Sequence, residues 1–128
     1  MKRAIAVFVV LASMMLTPML AFAEAGGVAK AFAQLEREHT EGEAGLWTTY
    51  ASGAASALSW ANSMLEARKE QRLYCPPRGV PPNPRTYAEV ALNEYRGNKP
   101  RYDTLDKYPG EAVALAVVNG LTAKWPCK

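Results

Sequence analysis

The side chains of this sequence that could carry chemistry are few. They are two cysteines, Cys75 and Cys127, a single histidine, His39, and four closely spaced acids, Glu36, Glu38, Glu41 and Glu43. A histidine set among glutamates, with no cysteine or second histidine beside it, supplies neither a metal-ligand set nor a nucleophile–base pair. It reads as a solvated loop residue. The glutamates invite comparison with the paired carboxylates of glycoside hydrolysis, but clustered acids near a helix end read more simply as a solvated face. No Gly-rich phosphate loop follows a strand pattern, and no G-x-S-x-G elbow is present. The sequence therefore reads as a binder, not an enzyme, and calls for no cofactor or metal. Arg78, Arg85, Arg96, Lys99 and Arg101 make the middle of the chain basic. That suits either an acidic partner or an ordinary hydrated surface.

What the cysteines do depends on where the chain goes. Lys2 and Arg3 precede an uncharged, mostly apolar run, which ends in Ala21-Phe22-Ala23. This is the charged start, apolar middle and small-residue exit of a secretory leader, predicting a signal peptide over 1–23 and a mature domain over 24–128. The competing reading is an uncleaved membrane anchor, since the uncharged run is just long enough to span a bilayer. Pro18 and the A-x-A exit favour cleavage, after which no other segment is apolar and long enough to cross a membrane. The full chain carries 15 Lys and Arg against 12 Asp and Glu. Losing Lys2 and Arg3 removes most of that excess, and nothing in the balance calls for nucleic acid. In an oxidising periplasm an even cysteine count without C-x-x-C spacing argues for a structural Cys75–Cys127 bridge. Two free thiols or a metal pair are the alternatives. A bridge closing about 50 residues is worth about 4 kcal/mol on the chain-entropy account.

The elements that must position these residues are helical. Val28, Phe32 and Leu35 predict a short amphipathic helix over about 27–38. From Gly45 to Arg72 a long helix is expected, with Trp47, Tyr50, Ala54, Ala57, Leu58, Ala61, Met64 and Leu65 as its buried stripe. Gly53 in mid-helix is read as a place of close helix approach. Five prolines between Tyr74 and Pro84 rule out regular structure and predict a stiff crossing loop fastened at Cys75. Asn83-Pro84 is an N-cap and first-turn pair opening a third helix, which buries Tyr87, Val90, Ala91 and Tyr95 and ends at Gly97. Residues 98–108 read as a polar loop. The run Ala112–Val118 is apolar on every side, marking a central helix after Pro109. A strand competes there, although no period-two alternation supports it. The expected fold is all-α, a compact bundle of about four helices stapled by one disulfide.

The arrangement Tyr74-Cys75-Pro76-Pro77, Gly79-Val80, the Tyr87–Tyr95 helix, Pro100, the apolar helix 112–121 and Trp125-Pro126-Cys127 resembles the Rap/Tai immunity protein family. Upstream, Trp47, Tyr50, Gly53 and Trp60-Ala61-Asn62 resemble that family's glycine-containing long helix, so the likeness covers about residues 44–127. The resemblance implies a periplasmic immunity protein that neutralises a peptidoglycan amidase delivered by type VI secretion, its protruding loop blocking the amidase cleft. It also implies an all-helical fold, the Cys75–Cys127 pairing, and a homodimer as an available assembly. No recognition residue transfers by motif, because the toxin-touching loops vary. The candidates for partner contact are the Pro-rich loop 76–84 with Arg78, and the segment 97–108 with Lys99, Arg101 and Tyr102, since Tyr and Arg commonly anchor interfaces. A periplasmic acid-stress chaperone, switched as the clustered glutamates lose charge, is the alternative.

Overall fold

The computed structural model describes residues 27–79 and 83–128. The expected signal peptide and Val80–Pro82 lie outside them. Among the described residues there are five helices and no strand: α1 (Gly27–Glu41), α2 (Leu46–Ala67), α3 (Pro84–Gly97), α4 (Lys99–Asp103) and α5 (Pro109–Lys124). The all-α expectation is met, with one helix more than about four. The addition is α4, inside the segment read as a loop. Pro100 marks a stop when it follows a helix, yet it is equally at home in the first turn of a new one, and that is its position here.

α5 lies at the centre. Its apolar run leaves no polar stripe, so it buries Ala112, Val113, Ala116, Val117, Gly120 and Leu121 and packs most extensively against α3, then against α2 and α1. Gly120 permits the tightest of these approaches. A Cβ built there would lie 2.6 Å from the carbonyl oxygen of Val90 on α3. α1 adds Val28, Ala31, Phe32 and Leu35 to the core, the periodicity read from the sequence extended by one turn. α3 opens as expected: the Asn83 side chain accepts a hydrogen bond from the Thr86 N–H at 3.0 Å, ahead of Pro84.

α2 is rotated relative to its expected orientation. The residues it buries are Thr48, Ala51, Ala55 and Asn62. Trp47, Ala54 and Leu58 flank that line, whereas Tyr50, Ala57 and Met64 are exposed. The close approach expected at Gly53 is absent, with nothing within 4 Å of a Cβ placed there. The helix places its small and polar residues inward because it lies on α3 and α5, which fill the core with their own valines and leucines and leave room for little more than a methyl group.

Candidate functional site

The disulfide read from the sequence is present. Cys75 and Cys127 are bonded across 52 positions, and no other cysteine exists. Around it the chain is tied down repeatedly. The Cys75 N–H donates to the Trp125 carbonyl at 2.7 Å. One turn from the end of α2, Asn62 grips the preceding backbone from both sides: its amide donates to the Tyr74 carbonyl at 2.8 Å, and its oxygen accepts from the Leu73 N–H at 2.7 Å. Tyr74 is buried and packs on the Trp125 ring, and that burial pushes its phenol pKa up. Asn62 was the unforeseen member of this clamp. Its signal was an amide on a helix face that also carries alanines, a place where a buried polar group must find partners.

Beyond the clamp the chain emerges. Pro77, Arg78 and Gly79 are exposed, and Gly79 has φ 84°, a left-handed conformation that suits glycine. Arg78 is thus presented from a base held by a disulfide, a backbone hydrogen bond and the Asn62 amide. Lys99 and Arg101 stand exposed on α4, where Lys99 reaches Asp103 at 2.7 Å and lies 6.0 Å from the centre of the Tyr95 ring. Tyr102, expected beside them as an interface anchor, requires correction, because it is fully buried. Its ring edges against Phe32 and Tyr95, which are themselves stacked 3.9 Å apart. Its hydroxyl donates to Glu94 at 2.9 Å and accepts from Asn119 at 3.1 Å, and burial chiefly raises its pKa to about 12. On α4 the side chain falls on the inner face, opposite the solvent, so it belongs to the core. The structure therefore keeps Arg78, Lys99 and Arg101 on the surface and removes Tyr102. Arg78 belongs to the disulfide clamp, while Lys99 and Arg101 belong to α4.

The glutamate cluster divides in a way the sequence did not reveal. Glu36 forms an exposed ion pair with Arg96 of α3, and Glu41 and Glu43 are exposed. Glu38 is buried. Its carboxylate accepts from the Thr48 N–H at 2.8 Å, the Thr48 hydroxyl at 2.6 Å and the Gln34 amide at 3.2 Å. Gly45, at the N-cap of α2, has no side chain to satisfy the helix's first amides, and Glu38 from the neighbouring helix fills that role. A Cβ on Gly45 would fall 2.1 Å from that carboxyl group, so the glycine and the acid form one fitted unit. Burial alone would raise the Glu38 pKa, but the Thr48 and Gln34 hydrogen bonds outweigh it and hold the carboxyl below the ordinary glutamate value. Its stabilisation is therefore complete above the unfolded glutamate's pKa and is lost as pH falls through the lower folded value. At neutral pH, Glu38→Gln is expected to lower unfolding free energy by about 2 kcal/mol. In urea melts that difference should shrink progressively below about pH 4.5. An equal deficit at every pH would rule out the ionised cap.

His39 also departs from expectation, lying on the last turns of α1 and not in a loop. Its ring is half-buried, with Nδ1 buried and lacking a hydrogen-bond partner. It borders a cavity of about 610 Å³ between the end of α1, the start of α2 and the start of α3, lined also by Glu43, Thr49, Ser52 and Arg85. Among the described residues no group of three or more His, Cys, Asp or Glu is arranged to hold a metal, and no helix is long and apolar enough to cross a membrane. In comparisons with known proteins, the chain matches no family model, no curated protein and no solved structure.

Proposed function

We propose that this chain is an exported immunity protein. In this reading residues 1–23 direct it to the periplasm, where it binds a peptidoglycan amidase delivered by type VI secretion and covers the amidase's active-site cleft. The observation that carries the reading is the clamped base of the Pro-rich segment. Cys75 is fixed by Cys127 and the Trp125 carbonyl, Asn62 holds the two residues before it, and the exposed Arg78 follows three residues later. An inhibitory loop binds best when its ordering is complete before contact, because each side chain and backbone segment already fixed adds nothing to the entropic cost of association. The disulfide is itself compatible with an oxidising compartment. The motif resemblance supplies the chemical class of the partner, and the clamped base of the segment is what supports its role as the occluding part.

The test is co-expression. Cells directing a candidate amidase to their periplasm should survive when this protein accompanies it, and the two should co-purify. Arg78→Glu should weaken the complex by about tenfold or more if Arg78 lies within the interface. Lysis at the same rate with and without the protein, across the candidate type VI secretion amidases, would exclude the reading.

A second reading, an acid-responsive chaperone, draws support from Glu38. Protonating this buried carboxyl turns its charge-assisted hydrogen bonds to Thr48 into weaker neutral ones, which would lessen the hold of α1 on the start of α2. Acid titration followed by circular dichroism and by aggregation of an unfolded client separates the two. The chaperone reading requires client protection that appears only as the native signal is lost, below the ordinary glutamate range.

A further inference from the structure

The cavity that His39 borders plays no part in occluding an amidase. It encloses about 610 Å³ between the end of α1, the start of α2 and the start of α3, within the range of about 300–1,000 Å³ common to small-molecule sites. Its walls are held in place without a ligand. Glu38 ties the end of α1 to Thr48 at the start of α2, and Asn83 caps α3. Little ordering is therefore left for a ligand to impose.

The charges lining this space are opposite in sign and unmatched. Glu43 stands on the connection from α1 to α2 and Arg85 in the first turn of α3, and both are exposed. The ion pairs among the described residues are Arg72–Glu66, Arg96–Glu36 and Lys99–Asp103. Glu43 and Arg85 thus share a cavity without pairing with each other or with another charge. Glu38 also lines it, but its carboxylate is engaged by Thr48 and Gln34. The helix directions reinforce this polarity, since α1 brings its negative end to the Glu43 side and α3 its positive end to Arg85. The polar lining from α2 is neutral, the hydroxyls of Thr49 and Ser52. His39 keeps a buried Nδ1 with no hydrogen-bond partner, and a polar group of a seated ligand would supply one.

We propose that this cavity binds a short peptide with both termini free, its ammonium group held at Glu43 and its carboxylate at Arg85. A ligand with one charge would match one wall and leave the other unpaired. A free amino acid carries both charges on a single carbon, too close together to reach two side chains that do not meet. A short peptide separates them, offers its amides to Thr49 and Ser52, and presents a carboxylate that the planar guanidinium can grip with two hydrogen bonds. The end of a folded protein chain offers only one of the two charges, so the ligand is a free peptide. This inference stands apart from the immunity reading, which places the partner at the Pro-rich segment, and either can fail alone.

Calorimetric titration of the purified, oxidised chain with trialanine tests it. Saturable binding is expected below millimolar peptide. Acetylating the amine or amidating the carboxylate should each weaken binding by about tenfold, the worth of one charged hydrogen bond. Arg85→Ala should cost the same factor with trialanine, yet bind the amidated peptide as well as the wild type does. Glu43→Ala should be indifferent in the same way to acetylation. Both side chains are exposed, so both variants should melt like the parent. Absence of binding at millimolar trialanine, equal binding of the doubly capped peptide, or a cost of amidation that persists in Arg85→Ala would each overturn the proposal.

Discussion

Cys127→Ser should lower the melting temperature by about 20 °C, the largest stability loss expected from a single side chain here. The bond closes a span of 52 positions. On the chain-entropy account, constraining that loop in the unfolded ensemble is worth about 4 kcal/mol. A domain of this size is stable by only about 5–15 kcal/mol in total, and each kcal/mol corresponds to about 4–8 °C. The helices themselves should persist, because the core of α1, α3 and α5 does not depend on the bond, and Asn62 still holds residues 73 and 74. Circular dichroism at low temperature should therefore be nearly unchanged while the thermal midpoint falls, and the wild type in reductant should melt like the variant. A midpoint within a few degrees of the oxidised protein would mean that the bridge does not staple the fold.

Gly120→Val is the second large effect. At Gly120 the obstruction is backbone, with the Val90 carbonyl oxygen 2.6 Å and its carbon 2.9 Å from a built Cβ. A side chain can rotate out of the way, but a helix backbone moves only by parting α3 from α5, the most extensive packing in the molecule. Overpacking of this kind costs about 1–3 kcal/mol, and occasionally more. The branched side chain should place this variant near 3 kcal/mol in denaturant unfolding, despite the gain in helix propensity on replacing glycine. A variant as stable as the parent would show that α3 and α5 do not meet this closely.

The parts of the fold legible in the sequence were those where one signal dominated. The unbroken apolar run of α5 marked a central helix, Asn83-Pro84 marked the start of α3, and two cysteines in a chain with an export-like N-terminus marked a bridge. Signals that compete were misread. In α2 large apolar side chains defined the expected inner face, but the buried line is Thr48, Ala51, Ala55 and Asn62, because close packing on α3 and α5 selects for small volume over hydrophobicity. Pro100 ends one helix or begins another with equal ease, so α4 went unseen, and with it the burial of Tyr102. Glu38 looked like its neighbours because capping from another helix has no local pattern. Only Gly45, seven residues on, hinted that a helix start lacked its own cap. Of the candidate contacts, Arg78, Lys99 and Arg101 are on the surface, and the clamp behind Arg78 became apparent only once Asn62 and Trp125 were placed in space.

The central claim is that a loop whose base is clamped by the Cys75–Cys127 disulfide occludes an amidase. It is tested most directly by titrating the purified, oxidised protein into a candidate type VI secretion amidase and following release of cleaved peptidoglycan. The account predicts that turnover falls in proportion to added protein and vanishes near one binding site per enzyme. It also predicts that Cys127→Ser, still folded at low temperature, inhibits less well because its loop must be ordered on contact. Undiminished turnover at a large molar excess, with no complex detected by sedimentation, would contradict it.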